Sequence, residues 1–132
     1  MSRFLPTVLF CVAAPALAQA GPTFTTERIV GAGRTQKIAY FAAVDPACHS
    51  MGPVSVNLLD TPHVGQVEVA QGREYPNFST FNPRARCTTQ KLPATQILYT
   101  APPGYAGEDD FTIEIVGPLG GVQRWRYRLT IR

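Results

Sequence analysis

The stretch Phe111-Thr112-Ile113-Glu114-Ile115-Val116-Gly117-Pro118-Leu119-Gly120-Gly121-Val122-Gln123-Arg124-Trp125-Arg126-Tyr127-Arg128-Leu129-Thr130-Ile131 decides the fold. Apolar and polar residues alternate on both sides of a short link rich in glycine and proline, the pattern of two half-buried strands joined as a hairpin. Pairing Val116 with Val122 sets Ile113 opposite Trp125 and Phe111 opposite Tyr127, so these four side chains are expected to line a core. On the other face the same register sets Glu114 opposite Arg124, Thr112 opposite Arg126 and Asp110 opposite Arg128. Arg124, Arg126, Arg128 and Arg132 would otherwise resemble a basic stripe for phosphates or an anionic polymer. The facing acids neutralise part of it, and a solvated, partly paired face is expected instead.

Working outward, the same period of two recurs upstream. Ile38, Tyr40, Ala42 and Val44 alternate, as do Val54, Val56 and Leu58, then Val67 and Val69, then Ile97 and Tyr99. A weaker segment near Glu27 to Val30 brings the expected strands to seven. Turn clusters separate them at Gly31-Ala32-Gly33, Asp45-Pro46, Ser50 to Pro53, Asp60 to Gly65 and Ala101 to Gly107. A helical period is nowhere sustained, and the 11 glycines and 12 prolines of the 132 residues oppose long helices. Seven short alternating strands predict an all-β, antiparallel β-sandwich.

Only 16% of residues are charged and the net charge is +3, too little for a dedicated nucleic-acid binder, so no nucleic-acid partner is expected. With 45% hydrophobic residues the chain can bury a core, which argues against disorder. Residues 1–20 read as a signal peptide: Arg3 forms a positive start, Phe4 to Ala16 an apolar run, and Ala18-Gln19-Ala20 a cleavage site. The apolar run is shorter than the roughly 20 residues that span a bilayer and contains Pro6 and Pro15. Cys11 sits inside that run after bulky Phe10, a poor place for lipid attachment. The expected domain is therefore 21–132, without a membrane span, in a protein exported to the periplasm of a Gram-negative cell or secreted from it.

Beyond the signal stand two cysteines, Cys48 and Cys87, in a chain bound for an oxidising compartment, so one disulfide is expected. No C-x-x-C pair suggests redox catalysis.

The segment Ile97 to Ile115 resembles the closing part of bacterial Ig-like and cadherin-like repeat domains, which run Y-T-x-x-x-G-[FY]-x-G-x-D-x-F into alternating apolar residues. Tyr99, Thr100, Gly104, Tyr105, Gly107, Asp109 and Phe111 fall on that spacing. Upstream, Pro62-x-x-Gly65-x-Val67-x-Val69 is similar to the family's turn-and-strand motif, with His63 one place earlier than the family's histidine. The resemblance implies an Ig-like sandwich of an exported adhesive or envelope protein and no catalytic site. Physical chemistry alone reads the same positions as fold-determining: prolines and glycines make tight turns, Asp109 bonds nearby backbone amides, and Tyr99 and Phe111 point inward.

No catalytic constellation, phosphate-cradling loop or cofactor motif is present in the sequence, so neither enzyme activity nor a cofactor is expected. Cys48, His49, Met51 and His63 are too sparse for a soft-metal site once Cys48 is oxidised, and Glu108-Asp109-Asp110 lacks the further ligands of a calcium site, so no metal is expected. The candidate binding element is the connection 72–93, which carries Tyr75, Phe78 and Phe81 among Arg73, Arg84, Arg86 and Lys91. Tyr75, Phe78, Phe81, Arg84 and Arg86 suit an envelope polymer, a glycan or a protein. Alternatively the aromatics cover an open edge of the sandwich while the basic residues are solvated. The sequence leaves two functions: a non-enzymatic Ig-like envelope module with a structural or binding role, or an accessory or inhibitor protein that grips its ligand with 72–93.

Overall fold

The computed structural model describes residues 21–132; the signal peptide read over 1–20, with Cys11, lies outside the described residues. Seven strands follow one another: β1 (Thr23–Val30), β2 (Thr35–Phe41), β3 (Ser55–Asp60), β4 (Gln66–Glu74), β5 (Leu92–Thr100), β6 (Gly107–Val116) and β7 (Val122–Ile131). They form two sheets, β1-β7-β6-β3 and β2-β5-β4, packed as a sandwich. In chain order the third, sixth and seventh strands share one sheet while the second, fifth and fourth share the other, the division of an Ig-type sandwich. Among the described residues no helix is long and apolar enough to cross a membrane.

The β6–β7 hairpin has the register expected from its alternation: Val116 pairs with Val122, Ile113 with Trp125 and Phe111 with Tyr127. Phe111, Ile113 and Tyr127 are buried with Ile97, Tyr99, Leu129 and Ile131. Each such side chain contributes roughly 1.5–3 kcal/mol through burial. Trp125 differs from the expectation, being only partly buried and packed at the margin of this core. On the opposite face Arg124 meets Glu114 at 3.1 Å as expected, but Asp110 turns from Arg128 to Arg126, at 2.8 Å. Diagonal neighbours are within reach of long side chains on a twisted pair, so register alone does not choose between them.

The sheet containing the hairpin is not wholly antiparallel. β1 runs parallel to β7, with Phe24 beside Trp125 and Val30 beside Ile131. The first strand of a constant-type Ig sandwich shares the sheet of the second. Here it has joined the other sheet, and β2 is left as an edge strand. The candidate segment is also shorter than read, because β4 continues to Glu74 and β5 already begins at Leu92, leaving residues 75–91 as the connection. Pro93 is tolerated in β5 because β2 pairs with that strand only from Thr95 onward, so the proline displaces no bond on that side.

Cys48 and Cys87 form the expected disulfide, with Cα atoms 5.2 Å apart and a sequence separation of 39. Closing a loop of that length stabilises the fold by about 4 kcal/mol on the chain-entropy model.

Candidate functional site

The corner between β5 and β6 is polar, buried and complete. Asp109, 6% exposed, accepts hydrogen bonds from the backbone amides of His63 (2.8 Å), Val64 (3.2 Å), Gly65 (2.9 Å) and Asp110 (2.9 Å). The Tyr99 hydroxyl donates a fifth at 2.6 Å. Asp109 thus bonds backbone amides as expected, mostly those of a turn more than forty positions away, and the two motif segments meet here. A Cβ on Gly65 would lie 2.4 Å from the Tyr99 hydroxyl and 2.5 Å from the Thr100 carbonyl oxygen, so only glycine permits this approach. Burial alone would raise the Asp109 carboxyl. The bonds from Gly65, Tyr99, His63 and Val64 outweigh it and hold the carboxyl below the ordinary aspartate value. Burial, then the bond to Asp109, pushes Tyr99 well up. Both oxygens of Asp109 are already occupied by donors, which gives it the role of a latch.

From Tyr99 a file of rings runs through the core. Tyr99 stacks on Phe111 at 6.2 Å, Phe111 on Tyr127 at 5.1 Å and Tyr127 on Trp125 at 6.3 Å; Phe24 covers Trp125 at 4.9 Å. At the Trp125 end the two sheets part around a cleft of about 880 Å³. One wall is residues 37–43 of β2 and its extension, another is Gln123, Trp125 and Tyr127 of β7, and Pro76, Asn77 and Phe78 close one side. Phe41 reaches across to Trp125 with ring centroids 6.2 Å apart.

Two polar groups border this cleft. Tyr127 is 2% exposed as a whole residue, and its hydroxyl, which no described residue bonds, opens onto the cleft, so that no buried polar side-chain atom among the described residues is left without a partner. Burial pushes it up to about 12 while Arg28 pulls the other way. Arg28 lines the same cleft, and only its Nη1 is engaged, with the Thr26 hydroxyl and the Glu27 carbonyl of its own strand. No carboxylate among the described residues pairs with it.

The five candidate residues of the connection do not form one surface. Phe78 packs with Val44, Cys87 and Leu92 in a satellite core. Arg84 donates from Nε to the Val44 carbonyl at 2.6 Å, and Arg86 from Nε to the Pro46 carbonyl at 3.0 Å. These two arginines clip the segment to the turn that carries Cys48. In that turn Asp45 accepts from the amides of Ala47 and His49, both at 2.9 Å, and Cys48 adopts φ 67°. Tyr75 is half exposed beneath the Lys91 ammonium, 5.6 Å from the ring centre, and Phe81 is 97% exposed. His63 stands in its turn and His49 in solvent; among the described residues no three His, Cys, Asp or Glu side chains converge as metal ligands.

The sequence reading missed the cleft, and with it Arg28, Phe41 and the free hydroxyl of Tyr127. One signal was present: Arg28 lies two places before buried Val30 and so on the same side of the strand, although it is itself exposed at the rim of the cleft.

No protein-family model matches the chain, and no curated protein does. Among solved structures it is similar to the solution structure of amebosin at 11% identity and a TM-score of 0.42, over 85% of this chain and 100% of that one.

Proposed function

We propose that this chain is a non-enzymatic, exported Ig-like module of a bacterial cell envelope, working in the periplasm or outside the cell, and that it binds its ligand in the cleft between β2 and β7. The observation that carries this reading is the aromatic cleft of about 880 Å³, bordered by the Tyr127 hydroxyl and the exposed Arg28 guanidinium, which among the described residues have no acceptor and no carboxylate partner respectively. A concave aromatic surface with a few convergent polar groups is the usual form of a ligand site. The disulfide supports an oxidising compartment. The saturated bonding of Asp109 supports a structural role for the chain's most buried carboxylate.

Trp125 is the single tryptophan and lines the cleft, so its emission reports occupancy directly. Titration with peptidoglycan fragments, envelope oligosaccharides and fractionated envelope proteins is expected to shift that emission saturably for one class of ligand. Failure of every class to shift it or to be retained by the immobilised protein would remove the binding role.

A second reading places the grip on the connection itself, as an accessory or inhibitor protein. The solvated ring of Phe81 and the Lys91-capped ring of Tyr75 favour it. Phe81→Ser should then abolish capture without altering Trp125 emission, whereas a ligand seated in the cleft is insensitive to that change.

A further inference from the structure

The wall of the cleft formed by residues 37–43 is a run of consecutive residues along the outer edge of the β2-β5-β4 sheet. Side chains that line a cleft from a strand's face come at every second position. Consecutive lining means that the backbone edge itself is presented. That edge is unpaired over most of its length: β2 bonds β5 on one side, and on the other the one backbone bond is from Met51 to the Ala43 carbonyl, at its far end. The neighbouring connection touches β2 through a side chain, the Tyr40 hydroxyl donating to the Tyr75 carbonyl at 2.8 Å, and supplies no backbone partner. A row of free amides and carbonyls beside an apolar cleft is the requirement for strand addition, in which an extended chain completes the ladder and sinks alternate side chains into the pockets.

The polar groups of the cleft specify more. Among the described residues the exposed Arg28 guanidinium has no carboxylate partner and the Tyr127 hydroxyl no acceptor, and both stand on the wall opposite β2. Lys37, also at the cleft, is already paired with Glu74. A carboxylate arriving on the inward side of an added strand would satisfy the two unpaired groups at once.

We propose that the cleft takes an extended segment of a protein partner, added as a strand to the free edge of β2, with apolar side chains packed on Phe41 and Trp125 and one acidic side chain received by Arg28 and Tyr127. This rests on the cleft being the ligand site and names the class of ligand.

The test uses the whole mature domain and a bead-bound library of short peptides that alternate apolar and polar positions, with one position fixed as aspartate. Retained members should shift Trp125 emission and slow amide hydrogen exchange within residues 37–42. Methylating alternate backbone nitrogens of those peptides should abolish retention. Arg28→Glu should weaken the aspartate peptides about tenfold and transfer preference to the lysine-fixed library. An oligosaccharide that shifts Trp125 emission without slowing exchange in β2 would overturn strand addition while leaving the cleft as a binding site. So would equal retention of methylated peptides, or protection of β2 through self-association seen by sedimentation. If no peptide, glycan or envelope protein moves Trp125, the cleft reading and this inference fall together.

Discussion

The Asp109 corner and the cleft beside it treat their polar groups in opposite ways. At the corner, where Asp109 stands beside Leu129 in register, a carboxylate, a phenol and three turn amides bond one another and leave nothing to an outside partner. Two residues along β7, at Tyr127, and on β1, where Arg28 lies in register with that same Leu129, a phenol hydroxyl and an exposed guanidinium border the cleft with no acceptor and no carboxylate of their own among the described residues. The first closes the fold. The second leaves polar capacity unused, and this difference, rather than any motif, separates positions that hold the sandwich together from positions able to meet a ligand.

The comparison can be broken most forcefully through its framework. Replacing Cys48 and Cys87 together by serine should cost about 4 kcal/mol in urea unfolding and free the connection that forms one side of the cleft. An unchanged unfolding midpoint would show that the arginine clips alone hold the segment.

Asp109→Ala comes next, with an expected loss of about 3 kcal/mol, because it strands the Tyr99 hydroxyl and three amides in a buried corner. The same latch sets a pH dependence. Asp109 is held below its usual value in the folded chain, so its contribution is full above the unfolded value of about 4 and is lost as pH falls through the folded one. Tyr99 and Tyr127 are raised, so their contribution is full below about pH 10 and lost as pH climbs toward the folded values, about 12 for Tyr127. Melting temperature measured from pH 2 to 12 should decline at both extremes, and Asp109→Asn should flatten the acid arm.

The finest distinction lies between two phenols in the same file of rings. Tyr99→Phe should cost about 1–2 kcal/mol, since Asp109 loses a donor, whereas Tyr127→Phe should change stability by less than about 0.5 kcal/mol. Equal losses would mean that the corner and the cleft do not differ.

Where pattern and partner lie close in sequence, the chain was readable. The hairpin register follows from alternation around residues 117–121, and the disulfide is expected from the two cysteines beyond the segment read as a signal peptide. Pairings between distant segments left weaker marks. Thr23–Val30 carries little apolar alternation of its own, and its parallel place beside β7 depends on tertiary packing rather than on local pattern. Phe78 and Phe81 look alike in sequence, but only the first lies against Val44, Cys87 and Leu92, while the second is solvated. Arg84 and Arg86 read as ligand-facing cations and instead bond carbonyls some forty positions away, because the disulfide brings that turn beneath them. The cleft belongs to no single segment and arises where β1 leaves the side of β2.

The parallel pairing of β1 with β7 also governs how the domain responds to load. Thr23 lies beside Arg124 and Val30 beside Ile131, so the beginning of β1 and the end of β7 are at opposite extremes of one ladder. A pull applied between Thr23 and Ile131 is directed along the two strands, and every bond of the ladder resists together instead of yielding one by one. In a layer subject to stretching, such a domain would transmit tension through its sheet while the cleft edge, β2, stays outside the loaded path.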